Sequence, residues 1–159
     1  MLRTDREVTD RQEILEILKK CDTLTLAFAD TDGPYAVPVS FGFADEDGVL
    51  TIYYHGSARG KKAELAQGCP NVCVEGHVFY RAEPTQTGIT TRYESVIGFG
   101  RVEKLEPPEE RIQALRRITA HYGYGSFPVE KCASLEKTAV YRIVIRRISG
   151  KKNVRTDEN

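Results

Sequence analysis

Hydrophobic and polar positions recur along the chain with two periods, and each change of period marks an element. The first apolar face is helical. Asp10 followed by Glu13 makes a capping-box-like start, and RQEILEILKKC puts Ile14, Ile17, Leu18 and Cys21 on one face. From Leu24 the period shortens to that of strands. LTLAFA (24–29), the turn DTDG and PYAVPVSFGF (34–43) read as a hairpin, and the turn ADEDG leads into VLTIYYH (49–55). Three strands with short connections predict an antiparallel sheet rather than βαβ units.

The stretch HGSARGKKAEL (55–65) opens a helix of about three turns, ended by Gly68 and Pro70. NVCVEGHVFY (71–80) resumes strand character, and RAEPTQTGITT (81–91), the least patterned part, reads as a long loop. YESVIGFGRVEKL (93–105) is a strand in which Gly98 and Gly100 predict a bend or bulge. PPEERIQALRRITAHYG (107–123) is a helix, with Pro108 near its first position, Glu109 and Glu110 in its first turn and Gly123 past its end. AVYRIVIRRISG (139–150) is the last strand, and KKNVRTDEN (151–159) is a polar tail expected to fray. With no internal repeat or linker, the pattern predicts one β-rich domain over residues 1–150 with peripheral helices. Its simplest form is a small barrel that closes its own edges.

Composition adds boundaries. A chain of 159 residues with 40% hydrophobic and 29% charged positions suits one soluble globular core. The 23 basic and 23 acidic residues cancel, so no global field favours nucleic acid or an anionic membrane, and any anion site must be local. No apolar run reaches the about 20 residues of a membrane span, and MLRTDREVTD lacks the apolar core of a signal peptide. A cytoplasmic location is expected. Cys21, Cys69, Cys73 and Cys132 are expected to be small buried apolar side chains, since Cys69 and Cys73 lack zinc-knuckle spacing and a chain this long needs no disulfides. No metal site is expected.

Local charge changes the picture more. Arg59, Lys61 and Lys62 crowd a helix start, the end that already carries partial positive charge, whereas residues 108–110 obey the dipole rule. A phosphate among them would remove the repulsion, because free N–H groups, two lysines and the Ser57 hydroxyl are then all donors. Each charged hydrogen bond to phosphate contributes about 1.5–3 kcal/mol, against a dipole penalty of about 0.3–1 kcal/mol per cation. A solvated basic face is the alternative; Gly56, Ser57, Gly60 and the preceding strand favour phosphate. The segment is not a nucleoside-triphosphate P-loop: the Gly56-to-Gly60 spacing is one residue short, and Lys62 stands where Ser or Thr must hold magnesium. No GxGxxG follows a strand.

His55 immediately precedes this turn, and a phosphate beside it would raise its pKa, making it a candidate proton donor. His77 and His121 read as a strand residue and a helix-end residue without a site role. Tyr53 and Tyr54 read as strand aromatics that fill the core and cover opposite faces, and Tyr93 as a neighbour of Ser95. The basic cluster RRISGKKNVR lacks interleaved aromatics and reads as a solvated strand end.

Taken in order, PYAVPVSFGF, IYYHGSARGKKAEL, CPNV and YESVIGFGRV resemble the pyridoxamine 5′-phosphate oxidase-like flavoproteins, and within them the nitroimidazole-resistance branch. The resemblance covers about Arg3 to Lys152. It implies an antiparallel split β-barrel that dimerises and binds FMN at the subunit interface. By position, it implies Lys62 as the phosphate-gripping lysine, with Ser57 and Lys61 as helpers and Gly56 and Ala58 in the same turn. Pro38, Val39 and Ser40 would lie beside the flavin ring, Ser95 would approach it, and His55 would stand near flavin and substrate as the catalytic proton donor. The pyridoxal-phosphate signature of the oxidases is not evident in YRIVIRRISG, so vitamin B6 oxidation is not implied. The resulting expectation is an FMN-dependent oxidoreductase acting on a small flat acceptor such as a nitroaromatic. The alternatives are a module that binds FMN or another phosphorylated ligand without turnover and, third, an anion or nucleic-acid binder using the 59–62 turn.

Overall fold

Ser40 is the single residue between two strands that lie at opposite ends of one sheet. The computed structural model describes residues 3–154. Eight strands form an antiparallel sheet: β1 (Glu7–Val8), β2 (Leu24–Phe28), β3 (Tyr35–Val39), β4 (Phe41–Glu46), β5 (Val49–Ser57), β6 (Asn71–Thr85), β7 (Gly88–Lys104) and β8 (Thr138–Asn153). The path runs β3-β2-β6-β7-β8-β5-β4, with β1 added on β8. Because β3 passes into β4 through Ser40 alone, the two edges of that path must meet at this corner. The sheet is therefore rolled. Among the described residues no ladder joins β3 to β4, so the edges meet without closing and the barrel is split.

Inward positions fill the roll with Leu26, Phe28, Phe41, Ile52, Tyr54, Val74, Tyr141 and Ile143. Helix α1 (Arg11–Lys20) starts as the sequence predicts, with the Asp10 side chain accepting from the Glu13 N–H at 2.9 Å. It buries Ile14, Leu15, Ile17 and Leu18. Each such side chain contributes about 1.5–3 kcal/mol when fully buried. Helix α3 (Pro108–His121) carries its proline and glutamates at the predicted start and buries Ala114 and Ile118. It packs against β4 at Gly42, where a Cβ would stand 2.4 Å from the Arg117 carbonyl. The His121 ring lies 4.2 Å from Phe41 and bonds the Cys21 carbonyl at 2.8 Å. The Tyr122 hydroxyl then accepts from the Phe41 N–H at 3.2 Å and donates to the Asp22 carbonyl at 2.6 Å, pinning the start of β4.

Several expectations change. The predicted loop 81–91 belongs to β6 and β7, which pair out to Thr85 opposite Gly88. Its pattern is weak because most of this ribbon is exposed on both faces, so no one-sided burial imposes a period of two. The run 34–43 is two strands, broken at Ser40. Part of the expected tail, Lys151–Asn153, lies in β8, and residues 155–159 fall outside the described residues. The predicted bulge is present: the β7–β8 register shifts between Phe99 and Gly100, where a Cβ would stand 2.5 Å from the Val144 carbonyl oxygen. All four cysteines are free thiols, but only Cys21 is buried, which pushes its thiol up to about 12. Among the described residues no helix is long and apolar enough to cross a membrane.

Candidate functional site

Helix α2 (Lys61–Gly68) is shorter than expected, with eight residues, and starts one residue after the chain leaves Arg59. Gly60, at φ 97°, is its N-cap and supplies no side-chain cap. The Ala63 and Glu64 N–H groups bond the Gly60 carbonyl at 2.9 and 3.1 Å. The N–H groups of Lys61 and Lys62 have no acceptor among the described residues, as a helix start requires. The Ser57 hydroxyl accepts from the Arg59 N–H at 3.1 Å, which folds the turn and leaves the hydroxyl proton to donate elsewhere.

The two lysines part company. Lys61 Nζ sits 2.6 Å from an Asp30 carboxylate oxygen in the turn between β2 and β3, which raises the lysine pKa and lowers that of the acid. Lys62 has no carboxylate partner among the described residues. It is half-buried, its ammonium stands 5.2 Å from the centre of the Tyr54 ring, and burial lowers its pKa. The misplaced charge identified in the sequence is thus neutralised at one lysine and left open at the next.

His55 lies beside this open charge. Its side chain is on the exposed, outward face of β5, and its pKa is lowered, first by partial desolvation and then by the Lys62 ammonium. Both causes favour the neutral imidazole. Phe41 pairs with Tyr54, so Ser40 and His55 are the next residues along β4 and β5 and share one rim. Of the corner residues, Pro38 and Ser40 are exposed, whereas Val39 is buried in the core. Ala58 faces the other side of the turn, on a hollow of about 170 Å³ that it shares with Lys104, Arg111 and Thr138. Arg111 is already committed there, donating to the Leu135 and Thr138 carbonyls at 2.6 and 2.9 Å.

Ser95 is not brought to this rim within one chain. It pairs with Lys151 near the end of β8, whereas His55 pairs with Val140 near its start. Its hydroxyl donates to the Lys151 carbonyl at a long 3.5 Å. Sequence reasoning missed two participants. Asp30 lay hidden in a turn motif that predicts only a turn. Tyr54 read as core filling, since its inward parity carries no sign of the lysine above it.

The rolled antiparallel sheet, split at one corner, defines the split-barrel class. A family model described as pyridoxamine 5′-phosphate oxidase matches residues 10–152, and the chain belongs to that family. Among solved structures it is similar to the candidate 5-nitroimidazole antibiotic resistance protein of Bacteroides thetaiotaomicron. That likeness has 28% identity and a TM-score of 0.79, covering 91% of this chain and 85% of the other. The flavocytochrome of Azotobacter vinelandii shares the fold at 18% identity and TM-score 0.77, over 94% of this chain and 70% of its own. The FAD and heme binding protein of Mycobacterium smegmatis does so at 20% and 0.77, over 96% and 78%. No curated protein matches the chain in sequence.

Proposed function

We propose that the protein binds FMN between two copies of the chain and passes reducing equivalents to a small flat acceptor such as a nitroaromatic. The observation that carries this reading is the Lys62 ammonium, half-buried without a counter-carboxylate beside free helix-start N–H groups and His55. A phosphate fits it. The donors present are an ammonium, two backbone N–H groups and the Ser57 hydroxyl, all at one turn, which is the chemistry a dianion needs. The flavin proteins among the structural neighbours and the family itself support the choice of flavin over other phosphorylated ligands.

In this reading Lys62 and the α2 N–H groups hold the phosphate, and Lys61 holds the Asp30 turn in place. The exposed corner at Pro38 and Ser40, with the backbone of Val39, lines the ring. A bound flavin supplies hydride or electron-pair chemistry once a reduced donor has loaded it. His55 gives a proton from its imidazolium to the reduced acceptor, in the charge state that a neighbouring phosphate favours. Ser95 reaches the ring from the second copy, since its own chain keeps it at the far end of β8.

The visible absorbance spectrum of freshly purified protein tests the reading. Flavin absorbance, bleached by a reduced nicotinamide and restored by a nitroaromatic, is the expected result. A colourless protein that FMN does not reconstitute overturns it, and bound flavin that no donor reduces leaves a binding module without turnover.

A further inference from the structure

Among the described residues Lys62 has no carboxylate of the kind that normally accompanies a partly buried ammonium, yet its Nζ has a defined place. It stands 5.2 Å from the centroid of the Tyr54 ring. Tyr54 is fully buried, and its plane is fixed by Tyr141, whose ring stacks on it at 4.8 Å and 7°. On the same strand, Gly56 leaves room for the lysine: a Cβ there would stand 2.9 Å from Nζ and 3.2 Å from Cε. Gly56 has no positive φ, so its lack of a side chain is not needed for the backbone. The Tyr54 hydroxyl is buried with no hydrogen-bond partner among the described residues. What this tyrosine offers Lys62 is therefore its ring face and not its oxygen.

We propose that Tyr54 and Gly56 are positioning residues: the ring face of one and the missing side chain of the other hold the Lys62 ammonium, uncompensated by a carboxylate, where a flavin phosphate docks. This rests on the flavin reading above. The physical logic is that a carboxylate would hold the lysine equally well but would compete with the phosphate for it. An aromatic face attracts a cation through its quadrupole and carries no net charge to displace. A lysine held this way is oriented before the ligand arrives, so less side-chain entropy is lost on binding.

The test compares FMN with riboflavin, which lacks the phosphate, by titration of flavin fluorescence on the full chain. Tyr54→Phe keeps the ring and removes only an unpartnered hydroxyl, so its FMN affinity should stay within about twofold of wild type. Tyr54→Leu should weaken FMN about tenfold and leave riboflavin unchanged. Gly56→Ala should do the same without loss of thermal stability, because a flexible lysine tip yields more readily than backbone. In a Lys62→Met background neither substitution should weaken FMN further. A flavin-free signature accompanies these: the Lys62 methylene proton resonances, shifted upfield by the Tyr54 ring, should persist in Tyr54→Phe and vanish in Tyr54→Leu.

Wild-type chain that binds no FMN would overturn the proposed function itself, and the slot's role in affinity with it. Wild-type chain that binds FMN while folded Tyr54→Leu binds it equally well would overturn the slot alone. Equal losses of FMN and riboflavin would do so too, by showing a general packing defect. If Tyr54→Leu does not fold, Gly56→Ala decides, and unchanged FMN affinity in that variant refutes the proposal.

Discussion

The Lys61 ammonium lies 2.6 Å from the Asp30 carboxylate, while its neighbour Lys62 faces a tyrosine ring and, among the described residues, no acid. Adjacent lysines at one helix start are thus predicted to differ sharply in their effect on FMN. Lys62→Met should lower FMN affinity tenfold or more, from the loss of one charged contact of about 1.5–3 kcal/mol. Lys61→Met should change it by about threefold or less, because a pair this exposed contributes little and its charge is already spent on Asp30. Fluorescence titration of both variants measures the difference. Equal losses would mean that Lys61 leaves Asp30 to join the phosphate.

His55 is depressed by partial desolvation and then by Lys62, and both causes have a pH signature. The folded pKa lies below the unfolded one, so the unfolded chain takes up the proton first as pH falls. The stability tied to this group is intact above the ordinary histidine value of about 6.5 and is lost as pH drops through it toward the folded value. In Lys62→Met the second cause is gone, and the His55 pKa should rise partway to its ordinary value, with desolvation holding it below. FMN binding to the wild-type chain should raise it further, because a dianion favours the imidazolium. NMR titration of the His55 ring reads this directly. An unmoved His55 in Lys62→Met would place the ammonium away from the ring.

What the sequence disclosed and concealed follows from the range of each interaction. Helix α1 is legible because the Asp10 cap and the apolar face at Ile14, Ile17 and Leu18 are local. The bulge at Gly100 is legible because a missing side chain marks a close approach. The 81–91 ribbon is not, since Arg81, Ala82 and Thr85 are exposed and no core face writes a period into them. Ser40 is likewise silent: VPVSFGF is one apolar-rich run, and the break comes from the roll of the whole sheet. At the site, the excess charge at 59–62 is visible locally, and so is His55 next to it. That Lys61 is neutralised by a turn in another hairpin, and that Ser95 on β7 pairs with the end of β8 far from His55, are facts of register that no local pattern contains.

Gly42 predicts a stability effect independent of any ligand. A Cβ at this position would meet the backbone of Arg117 and the Ile118 N at 2.4–2.5 Å, and backbone in the middle of α3 cannot swing aside. Gly42→Ala should therefore push α3 off β4 and loosen Ala114 and Ile118, at a cost of about 1–3 kcal/mol. Chemical denaturation should show a lower midpoint. Because Tyr122 follows α3 and holds the Phe41 N–H, the displaced helix should also disturb the Ser40 corner and weaken FMN. A midpoint equal to wild type would show that α3 rides farther from the sheet in solution.

The outward face of β3, β2, β6 and β7 is where the second copy of the proposed dimer is expected to sit. Ala36 lies opposite Ala27, Ala27 opposite Cys73, and Cys73 opposite Phe99, so a row of small and apolar side chains crosses four strands. Ile97 and Phe99 remain 45% and 40% exposed there, Phe99 with the Arg147 guanidinium 4.5 Å from its ring centre and Ile97 with none among the described residues. In the proposed dimer a twofold partner laid on this row would bury both residues and would bring Ser95, one outward position beyond Ile97, toward the other chain. Ile97→Asp puts a charge into that contact and, because position 97 pairs with Glu75, should also cost the monomer about 0.2–1 kcal/mol through the like-charge pair. Light scattering should show the wild-type chain as a dimer and the variant as a monomer. FMN should be lost in parallel, since the corner at Ser40 would no longer be completed by a second chain. A dimeric Ile97→Asp that retains stoichiometric FMN would move the interface, and with it the route by which Ser95 reaches the flavin.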